Sequence, residues 1–492
     1  MIYLAEGSPV ANPSHENGSQ IHALWRFALD KREATEVLSG IDAFTVSANG
    51  EKMLYRKGDA WLIATADDVK TSPGKTLNLG NLQAHVDPRA EYRQMYNETW
   101  RIERDFFYDP NHHGLDIAKV EKRYEPYLEG IGSRDELNYL FEEMLGEITV
   151  GHMFIRSPRS PDHSPKTGLL GADYSVDHDR YKFAHIYNGE NWNPALHAPL
   201  TQPGVNVREG EYLLAVNGRD LHATDNIYSF FEGTAGKQAV LHVGPNPDGT
   251  GARDVTVVAI DSEHGLRNLA FIEGNRRKVD EMTHHQVAYV YMPNTGGPGF
   301  TNFNRYFFAQ IDKKGVIIDE RYNEGGSIAD NVIDTLRRVP MARYETREGE
   351  DVTDPEGAIF GPKTMLINQS AGSGGDLMPW YFRKAGLGPL IGVRTWGGLV
   401  GIGGYPVLLD GGTITAPRTA LYGLKGQFEV ENHGIAPDIE VECLPKEVAA
   451  GRDPQLERAV QYVMEQLKEH PLPTYPKPAY PNYHEHDSLG IH

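Results

Sequence analysis

Short runs of alternating apolar and polar residues, divided by turn residues, fill the first part of the chain. Between about residues 21 and 65 these runs are interrupted by an Asn49-Gly50 pair and a Gly58-Asp59 pair. Asn-Gly and Gly-Asp between runs of period two are signals of β-hairpins. The pattern therefore predicts an antiparallel meander of four or five strands.

Helical spacing of apolar residues replaces this alternation further along the chain. Apolar residues between positions 91 and 107 share one broad face of a predicted helix. A second helix is predicted to begin at an S-x-x-E capping box, formed by Ser133 and Glu136, and to end at Gly146.

The stretch after this helix, residues 147–155, alternates apolar and polar positions once more. It predicts a strand, and one face of that strand carries Ile148, Val150, His152 and Phe154. His152 is thus expected to point where apolar side chains point.

Two further regions differ in their periodicity. Residues from about 165 to 262 are rich in strand-like runs, whereas strand-like and helix-like runs alternate from about residue 263. This alternation predicts a mixed or mostly parallel sheet covered by helices, with active-site residues at the strand ends. A last helix is predicted to start at Asp453-Pro454, and the proline-rich tail beyond it is predicted to be extended.

The composition narrows the possible functions. The net charge of −20, without a cluster of Lys and Arg, argues against a nucleic-acid partner. No apolar run approaches the roughly 18 residues that a membrane span needs, so no membrane partner is expected. The single cysteine, Cys443, excludes an internal disulfide. Because the first residues also lack the pattern of a signal peptide, we expect a cytoplasmic protein.

Small residues surround a serine where a predicted strand meets the next helix. The strand TMLIN is followed by Gln-Ser-Ala-Gly-Ser-Gly-Gly, so Ser373 lies at a strand-to-helix turn. Such a turn is typical of a nucleophile elbow, in which the helix N-terminus offers free N–H groups to a developing oxyanion. A flexible glycine loop or a phosphate-binding loop would contain similar glycines, although the lysine of a P-loop is missing.

Two glycines at a second strand end could complement this serine. Gly325 and Gly326 follow the strand GVIID and precede the next predicted helix. Their backbone N–H groups, together with that of Gly374, form a candidate oxyanion hole. Taken in isolation, the two glycines would be explained almost as well by a plain strand-to-helix turn.

Several motifs, taken in order, resemble one protein family. The segments GEITVGH, DERYNEGG, NQSAGSGGD, GLGPLIGVRTWGGLVGIGG and VENHGIAPDIEVE look like the C-terminal half of tricorn proteases and, more widely, like tail-specific serine proteases. The resemblance runs from about Glu91 to Leu467. Within it, the stretch GEYLLAVNG is similar to PDZ domains, in which a Gly-x-x-hydrophobic loop precedes the strand that pairs with a peptide C-terminus. Here residues 168–171, Gly-Leu-Leu-Gly, are the candidate for that loop, and a generic small β-barrel is the alternative for this region.

The resemblance implies a multidomain α/β plus β protein. Its catalytic domain would be an α/β domain of the ClpP/crotonase-like fold, and the N-terminal meander would be the last blades of a β-propeller, which closes with about 4–8 blades. The implied domains are a propeller remnant (1–88), a helical domain with the catalytic histidine (89–160), a PDZ-like domain (161–262), an α/β serine protease domain (263–470) and an extended proline-rich tail (471–492).

The resemblance also implies roles for individual residues. Ser373 matches the nucleophile, His152 the general base, and Glu431, in VENHG, the acid that supports the base, while Gly325 lies in the oxyanion region. A serine hydroxyl needs such a base, and the base needs a third group to orient it. Without the resemblance, His152 would be interpreted as a packed histidine and Glu431 as a surface carboxylate.

Two positions depart from the tricorn pattern. Gly151 stands where the family has a serine that links the histidine to the glutamate, and glycine has no side chain to donate a hydrogen bond. Gly374 stands where the family has an aspartate that favours basic P1 residues. We therefore expect Gly374 to leave room for apolar P1 side chains, with Asp376 as the first candidate if a charge lies in the pocket. A Ser-Lys dyad is disfavoured because residues 395–398, Thr-Trp-Gly-Gly, replace the lysine-containing stretch of that branch.

The predicted function is that of a serine endopeptidase that cleaves oligopeptides through an acyl-enzyme, without a cofactor or a metal. The resemblance further implies a homo-hexamer. Metal-dependent hydrolysis is one alternative, since the 20 histidines include the pairs His112-His113 and His284-His285. Adjacent histidines on a strand point to opposite faces, however, and no H-E-x-x-H motif is present. The other alternative is a PDZ-containing, peptide-binding scaffold with an inactive protease domain.

Overall fold

A computed structural model describes residues 2–7, 21–83, 85–158 and 165–484. The chain divides into two compact units. The first comprises Met1–Arg159 and Val400–Glu429, and the second comprises Ser160–Leu399 and Val430–His492.

Two antiparallel sheets occupy the described residues before position 84. The first has the order β1-β2-β3 and the second the order β4-β5-β6-β7. The predicted turns at Asn49-Gly50 and Gly58-Asp59 join β4 to β5 and β5 to β6, so the antiparallel meander is confirmed. It is split after β3 at Asp42, whose carboxylate accepts from the Gly58 N–H at 2.7 Å. The strands are β1 (Ile2–Gly7), β2 (Ile21–Ala28), β3 (Glu33–Ile41), β4 (Ala43–Val46), β5 (Lys52–Lys57), β6 (Ala60–Thr65) and β7 (Lys75–Thr76).

Three helices follow in the first unit: α1 (Pro88–Phe106), α2 (Ile117–Tyr124) and α3 (Arg134–Gly146). The predicted α3 is confirmed at both ends, and the Ser133 side chain accepts from the Glu136 N–H. The Glu136 carboxylate accepts from the N–H of Gly132 rather than that of Ser133, which shifts the expected capping box by one residue. The core of these helices contains buried side chains such as Tyr96, Trp100, Phe141 and Met144.

The strand predicted over residues 147–155 is wrong for most of its length. Only β8 (Ile155–Arg156) is extended in a ladder. The backbone φ is 60° at Thr149 and 62° at His152, in the left-handed region that a strand cannot contain. The alternating sequence therefore folds as an irregular turn, and the predicted shared face of His152 and its neighbours does not exist.

Residues 165–262 form an antiparallel sheet in the order β14-β13-β11-β10-β9, with β12 paired to β11. Of the described strands, β9 pairs only with β10, so it is an edge strand. A short 3-10 helix, Ile227–Phe231, follows β12. The strands are β9 (Ala172–Asp177), β10 (Arg180–Ile186), β11 (Tyr212–Val216), β12 (Arg219–Asp220), β13 (Gln238–Gly244) and β14 (Arg253–Val258).

The rest of the chain begins with α4 (His264–Met282), a helix that the sequence pattern did not predict. Strands and helices then alternate as predicted, and five strands form a parallel sheet in the order β15-β16-β19-β20-β24. The elements are β15 (Val287–Tyr291), α5 (Gly297–Phe308), β16 (Gly315–Asp319), α6 (Ala329–Leu336), β17 (Ala342–Tyr344), β18 (Val352–Asp354), β19 (Lys363–Ile367), α7 (Gly374–Lys384), β20 (Leu390–Gly392), β21 (Val400–Gly401), β22 (Thr413–Ile414), β23 (Thr419–Ala420), β24 (Ile439–Glu440), α8 (Pro445–Ala449) and α9 (Pro454–Glu469).

Short strands complete both units. In the first unit β21 pairs with β23 and β22 pairs with β8, and in the second unit β17 and β18 form a hairpin.

The predicted start of α9 is confirmed, because the Asp453 side chain accepts from the Leu456 N–H. Arg321, which follows β16, is buried and donates to Asp319 and to Asp453. This ion-pair cluster ties the start of α9 to the end of β16.

No helix within the described ranges is both long enough and apolar enough to span a membrane.

Candidate active site

Ser373 lies at a sharp turn between β19 and α7. It is the N-cap of α7, with φ 58° and ψ −114°. A positive φ at a residue other than glycine is uncommon and strained, and strain of this kind characterises the nucleophile elbow. The conformation predicted from the small residues around Ser373 is therefore present.

The two glycine-containing loops identified in the sequence contact each other in the second unit. A Cβ atom built on Gly325 would lie 2.7 Å from the Cβ of Ser373. One built on Gly374 would lie 2.7 Å from the N atom of Gly326 and would overlap the hydroxyl of Thr295. Only glycine fits at these positions without a shift of the neighbours. The Cβ side of Gly374 is therefore closed by Thr295, contrary to the expectation that Gly374 leaves room for a substrate side chain.

The backbone N–H groups of these glycines differ in their availability. Gly325 donates its N–H to the side-chain oxygen of Asn323 at 2.9 Å, so this group is already engaged. The N–H groups of Gly326 and Gly374 have no acceptor among the residues that the structure describes. Gly374 is also the first residue of α7, where the helix dipole is positive. Gly326 and Gly374 are thus the glycines with N–H groups left to bind an anion.

Asp376 holds this turn in place. Its side chain is fully buried. The carboxylate accepts from the N–H groups of Ser373, Gly397 and Gly398 at 3.0, 2.9 and 3.1 Å, and from the hydroxyl of Thr395. Burial raises the pKa of Asp376, while these hydrogen bonds oppose the rise. Because both oxygens are engaged in the interior, this arrangement supports a structural role for Asp376 instead of the substrate contact that the sequence indicated.

Glu320 is a second buried carboxyl group near this turn, and sequence reasoning missed it. Burial, reinforced by the charges of Asp376 and Asp319, raises its pKa well above the ordinary value. Neither carboxyl oxygen of Glu320 has a hydrogen-bond partner in the described part of the chain. Burial thus disfavours the charged form of this group. Nothing in the sequence distinguishes Glu320 from an exposed carboxylate at the end of a strand.

Glu431 is connected to the Ser373 turn through the segment after β20. The N–H of Leu399 donates to Glu431 Oε2 at 2.5 Å. The N–H of Asn432 donates to the carbonyl of Gly397 at 2.8 Å, and the N–H of Ser373 also approaches the carbonyl of Gly398 at 3.1 Å. Glu431 and Ser373 thus lie on opposite sides of one short segment in the second unit.

Trp396 is a further residue at this turn that sequence reasoning did not assign. Its backbone N–H donates to the carbonyl of Ala371 at 2.9 Å. A Cβ atom on Gly372 would lie 2.5 Å from the indole ring, so the ring packs directly against the residue before Ser373. Since Trp396 is 48% exposed, it presents an apolar surface to solvent beside the serine.

His152 belongs to the first unit. It is 7% exposed, and its backbone is fixed by Thr415. The Thr415 hydroxyl donates to the carbonyl of His152 at 2.5 Å and accepts from the N–H of Phe154 at 2.8 Å. Burial lowers the pKa of His152 below its ordinary value of 6.5. The imidazole is therefore neutral at pH 7, as a general base must be.

The side chains of three of the four histidines considered for a metal site have other partners. His112 contacts the carbonyl of Glu103, and His113 contacts the hydroxyl of Tyr108. His285 pairs with Asp280 at 2.5 Å. Within the described ranges, no three His, Cys, Asp or Glu side chains are grouped so that they could hold a metal ion.

Three family models match the chain, in the order of its described regions. Residues 88–146 match the tricorn protease C1 domain, residues 168–262 the tricorn protease PDZ domain, and residues 286–441 peptidase family S41. The last match contains Ser373, Glu431 and the glycines that contact Ser373.

Known proteins are similar over nearly the whole chain. Tricorn protease homolog 1 of Streptomyces coelicolor is 32% identical over 96% of this chain and 44% of its own length. A putative tricorn-like protease C-terminal subunit of Sulfurisphaera tokodaii is 32% identical over 92% of this chain and 53% of its own length. A crystal structure of the tricorn protease superposes with a TM-score of 0.84 and 27% identity, over 95% of this chain and 45% of that one. The chain thus spans about half the length of the relatives it matches.

The parallel sheet, the strained serine and the match over residues 286–441 define a chain that carries a domain of peptidase family S41. The C1 and PDZ matches that precede this domain make the chain, more particularly, a relative of tricorn protease.

Proposed function

We propose that this chain is a serine endopeptidase of the tricorn type, which cleaves oligopeptides through an acyl-enzyme. The observation that carries the proposal is the turn at Ser373. A serine in a strained conformation stands there beside two backbone N–H groups, of Gly326 and Gly374, that have no acceptor among the described residues. A nucleophile and an oxyanion hole require this combination. The match to peptidase family S41 supports it.

In the proposed reaction, the Ser373 hydroxyl oxygen attacks the scissile carbonyl carbon and its proton passes to His152. The N–H groups of Gly326 and Gly374 stabilise the negative charge on the carbonyl oxygen. The C–N bond then breaks as His152 returns the proton to the leaving amine, and water hydrolyses the ester in the reverse sense. Glu431 supports the positive charge that His152 carries between these two transfers.

The surroundings of Ser373 favour apolar side chains at the P1 position of the substrate. Gly374 provides no charge, and Asp376 is buried and engaged. The exposed ring of Trp396 is the large apolar group next to Ser373. We therefore propose that peptides with apolar or aromatic P1 residues are cleaved at least as well as those with Arg or Lys. A fluorogenic peptide panel at moderate salt tests this, and a strong preference for Arg or Lys would contradict it.

The proposed nucleophile is tested by labelling with a fluorophosphonate probe, together with peptide hydrolysis. Ser373→Ala is expected to abolish both, because only an activated serine reacts with the probe. Ser370→Ala in the same loop is the matched control, since Ser370 is exposed and is expected to be dispensable for labelling and hydrolysis. An unlabelled wild-type chain without activity would instead favour the peptide-binding scaffold.

The proposed base is tested by His152→Ala. Removal of a triad member costs several orders of magnitude in kcat in well-studied serine peptidases, and a similar loss is expected here. His197→Ala serves as a control, because His197 lies outside both the Ser373 turn and the His152 turn. Activity of His152→Ala near the wild-type level would mean that another group is the base.

Three broader proposals remain, of which the cytoplasmic location follows from the sequence and the other two from the resemblance to tricorn proteases. We propose that the chain assembles into a homo-hexamer, that it acts in the cytoplasm, and that the two N-terminal sheets are blades of a β-propeller. The sheet β4-β5-β6-β7 supports the last point, since four antiparallel strands in sequence order are the pattern of a blade. Sedimentation equilibrium tests the assembly, and a mass other than six times 54.8 kDa would contradict it.

A further inference from the structure

The loop that resembles the carboxylate-binding loop of PDZ domains already holds a carboxylate, and this carboxylate belongs to the chain itself. Residues 168–171 lead into β9. The N–H of Gly171 donates to Glu263 Oε1 at 2.8 Å, and the N–H of Ala172 approaches the same oxygen at 3.3 Å. Convergent backbone N–H groups are the means by which proteins capture a C-terminal carboxylate. Glu263, just before α4, therefore occupies the position that a peptide C-terminus would take.

The second oxygen of Glu263 is also engaged. Arg267, one turn into α4, donates to Oε2 from Nε at 3.0 Å and from Nη2 at 2.7 Å. The same guanidinium pairs with Asp173 on β9 at 2.8 Å and lies over the ring of Tyr187. Hydrogen bonds between charged groups are stronger than neutral ones, and a two-pronged contact fixes geometry as well. The side chain of Glu263 is only 11% exposed. Its contact with the loop is therefore part of the interior and not a contact on the surface.

Little space remains beside this carboxylate. The cavity between the loop, β9 and the 3-10 helix Ile227–Phe231 has a volume of about 10 Å³, and its lining includes Leu170, Tyr174 and Phe231. A volume of this size holds about one water molecule. The last side chain of a peptide bound along the edge strand β9 has no room in this conformation.

We propose that the PDZ-like domain contains a carboxylate-binding site whose resident ligand is Glu263. With Glu263 in place, the site ties the start of α4 to the loop and the domain binds peptide C-termini only weakly. When the Glu263 carboxylate is removed, the site accepts an external carboxylate, either a small free anion or a peptide C-terminus. This proposal does not depend on peptidase activity, because none of its residues belongs to the Ser373 turn.

The first test compares thermal unfolding in sodium acetate and in sodium chloride at equal concentration. Glu263→Ala is expected to unfold at a lower temperature than wild type, and acetate is expected to restore part of the loss whereas chloride does not. Glu263→Gln is expected to lose stability without rescue, because its amide still fills the site. Asp261→Ala is the matched control, since Asp261 is exposed and pairs only at the surface, with Lys166.

The second test separates the two sources of carboxylate. A fluorescent hexapeptide with a free C-terminus and its C-terminal amide are titrated against wild type and Glu263→Ala, both in the Ser373→Ala background so that the peptide stays intact. The free acid is expected to bind Glu263→Ala roughly tenfold more tightly than wild type, the difference that a charged hydrogen bond makes. The amide is expected to bind neither. Rescue by acetate without peptide binding would identify a small-anion site with a closed groove.

The proposal is overturned if acetate and chloride affect all variants alike and the peptide does not bind Glu263→Ala. It is equally overturned if wild type binds the free acid as tightly as Glu263→Ala does. Should Glu263→Ala not fold, Glu263→Ser takes its place, because it also removes the carboxylate from the loop and serine is a favourable N-cap for α4. That variant must then bind the free acid more tightly than wild type, and failure to do so counts against the site.

Discussion

Two glycine-containing loops of the second unit offer backbone N–H groups as hydrogen-bond donors: the loop at residues 168–171, before β9, and the turn at Ser373, after β19. They differ in the acceptors that these donors find. In the loop at residues 168–171 the N–H of Gly171 donates to Glu263, a carboxylate of the same chain. At the Ser373 turn the N–H groups of Gly326 and Gly374 have no acceptor among the described residues. The backbone N–H groups thus bind a side chain of the same chain in one loop, whereas in the other loop they remain available to a ligand.

This difference shows why a glycine-rich motif alone does not identify a binding site. Buried donors are nearly always satisfied, so donors that remain without an acceptor mark the place where a substrate or a transition state supplies one. The Ser373 turn has such donors, and it also has a strained residue that the surrounding hydrogen bonds of Asp376 hold in place. In the loop near Glu263 the positive φ belongs to Gly171, a residue type that adopts it with little strain.

After the nucleophile and base variants described above, the largest effect is expected from blocking the donors at the Ser373 turn. In Gly374→Ala the new Cβ would lie within 2.7 Å of Gly326 N and overlap Thr295. The N–H groups would be displaced, and loss of one oxyanion donor costs about 100- to 1000-fold in kcat. Gly274→Ala is the control, because nothing lies within 4 Å of its Cβ position and alanine stabilises a helix interior. If folded Gly374→Ala keeps the kcat of wild type, the free donors at the Ser373 turn have no role in the reaction and the contrast between the two loops has no functional meaning.

A smaller loss is expected from Glu431→Gln. The carboxylate supports an imidazolium that exists only on the way to the transition state, so kcat is expected to fall by roughly 10- to 1000-fold with little change in KM. Steady-state kinetics on a fluorogenic peptide measures both, with Glu440→Gln, an exposed carboxylate on β24, as the control. An effect confined to KM would reassign Glu431 to substrate binding.

The pH dependence of kcat/KM tests whether His152 is the base that serves Ser373. Protonation of His152 removes the base, so kcat/KM falls as the pH drops through the pKa of this residue in the free enzyme. Because burial lowers that pKa from 6.5, the midpoint of the acid limb is expected below pH 6.5. A profile of kcat/KM between pH 4 and 8 measures it. A midpoint at or above 6.5 would point to a different or more exposed base.

The smallest effect on activity is expected from the loop near Glu263. In Gly168→Ala the new Cβ would lie 2.6 Å from that of Ala259, so the melting temperature is expected to fall. The kcat of the folded protein is expected to stay within about twofold of wild type, because this loop contributes no group to the Ser373 turn and the substitution acts through stability. Differential scanning fluorimetry and kinetics on the same sample check both. A large loss of kcat without a loss of stability would couple this loop to the reaction.

Much of the second unit could be predicted from sequence because its signals are local. The order of strands and helices from β15 to α7, apart from the hairpin β17-β18, follows from periodicity. The turn at Ser373 follows from its small residues and the start of α9 from capping. The turn at His152 could not be predicted in the same way. Its sequence alternates like a strand, yet the positive φ values at Thr149 and His152 depend on tertiary contacts such as the one with Thr415.

The candidate site shows the same division. The sequence identified Ser373 and the neighbouring glycines, but it could not tell which N–H groups are engaged, because Asn323 occupies the N–H of Gly325 by a side-chain contact within the turn. Asp376 follows the serine closely in sequence and was expected to contact substrate, and only the three-dimensional arrangement shows that it is buried. Helix α4 was missed because few of its residues are buried, among them Leu266, Ile272 and Val279.

The tether at Glu263 has a consequence for how the chain can be dissected. Similarity to the tricorn PDZ domain ends at residue 262, one position before the carboxylate that fills the loop. A fragment cut at that boundary would leave the N–H groups of Gly171 and Ala172 without Glu263 and would lack Arg267 as well. Peptide affinities measured on such an excised domain would describe a site that the intact chain keeps occupied.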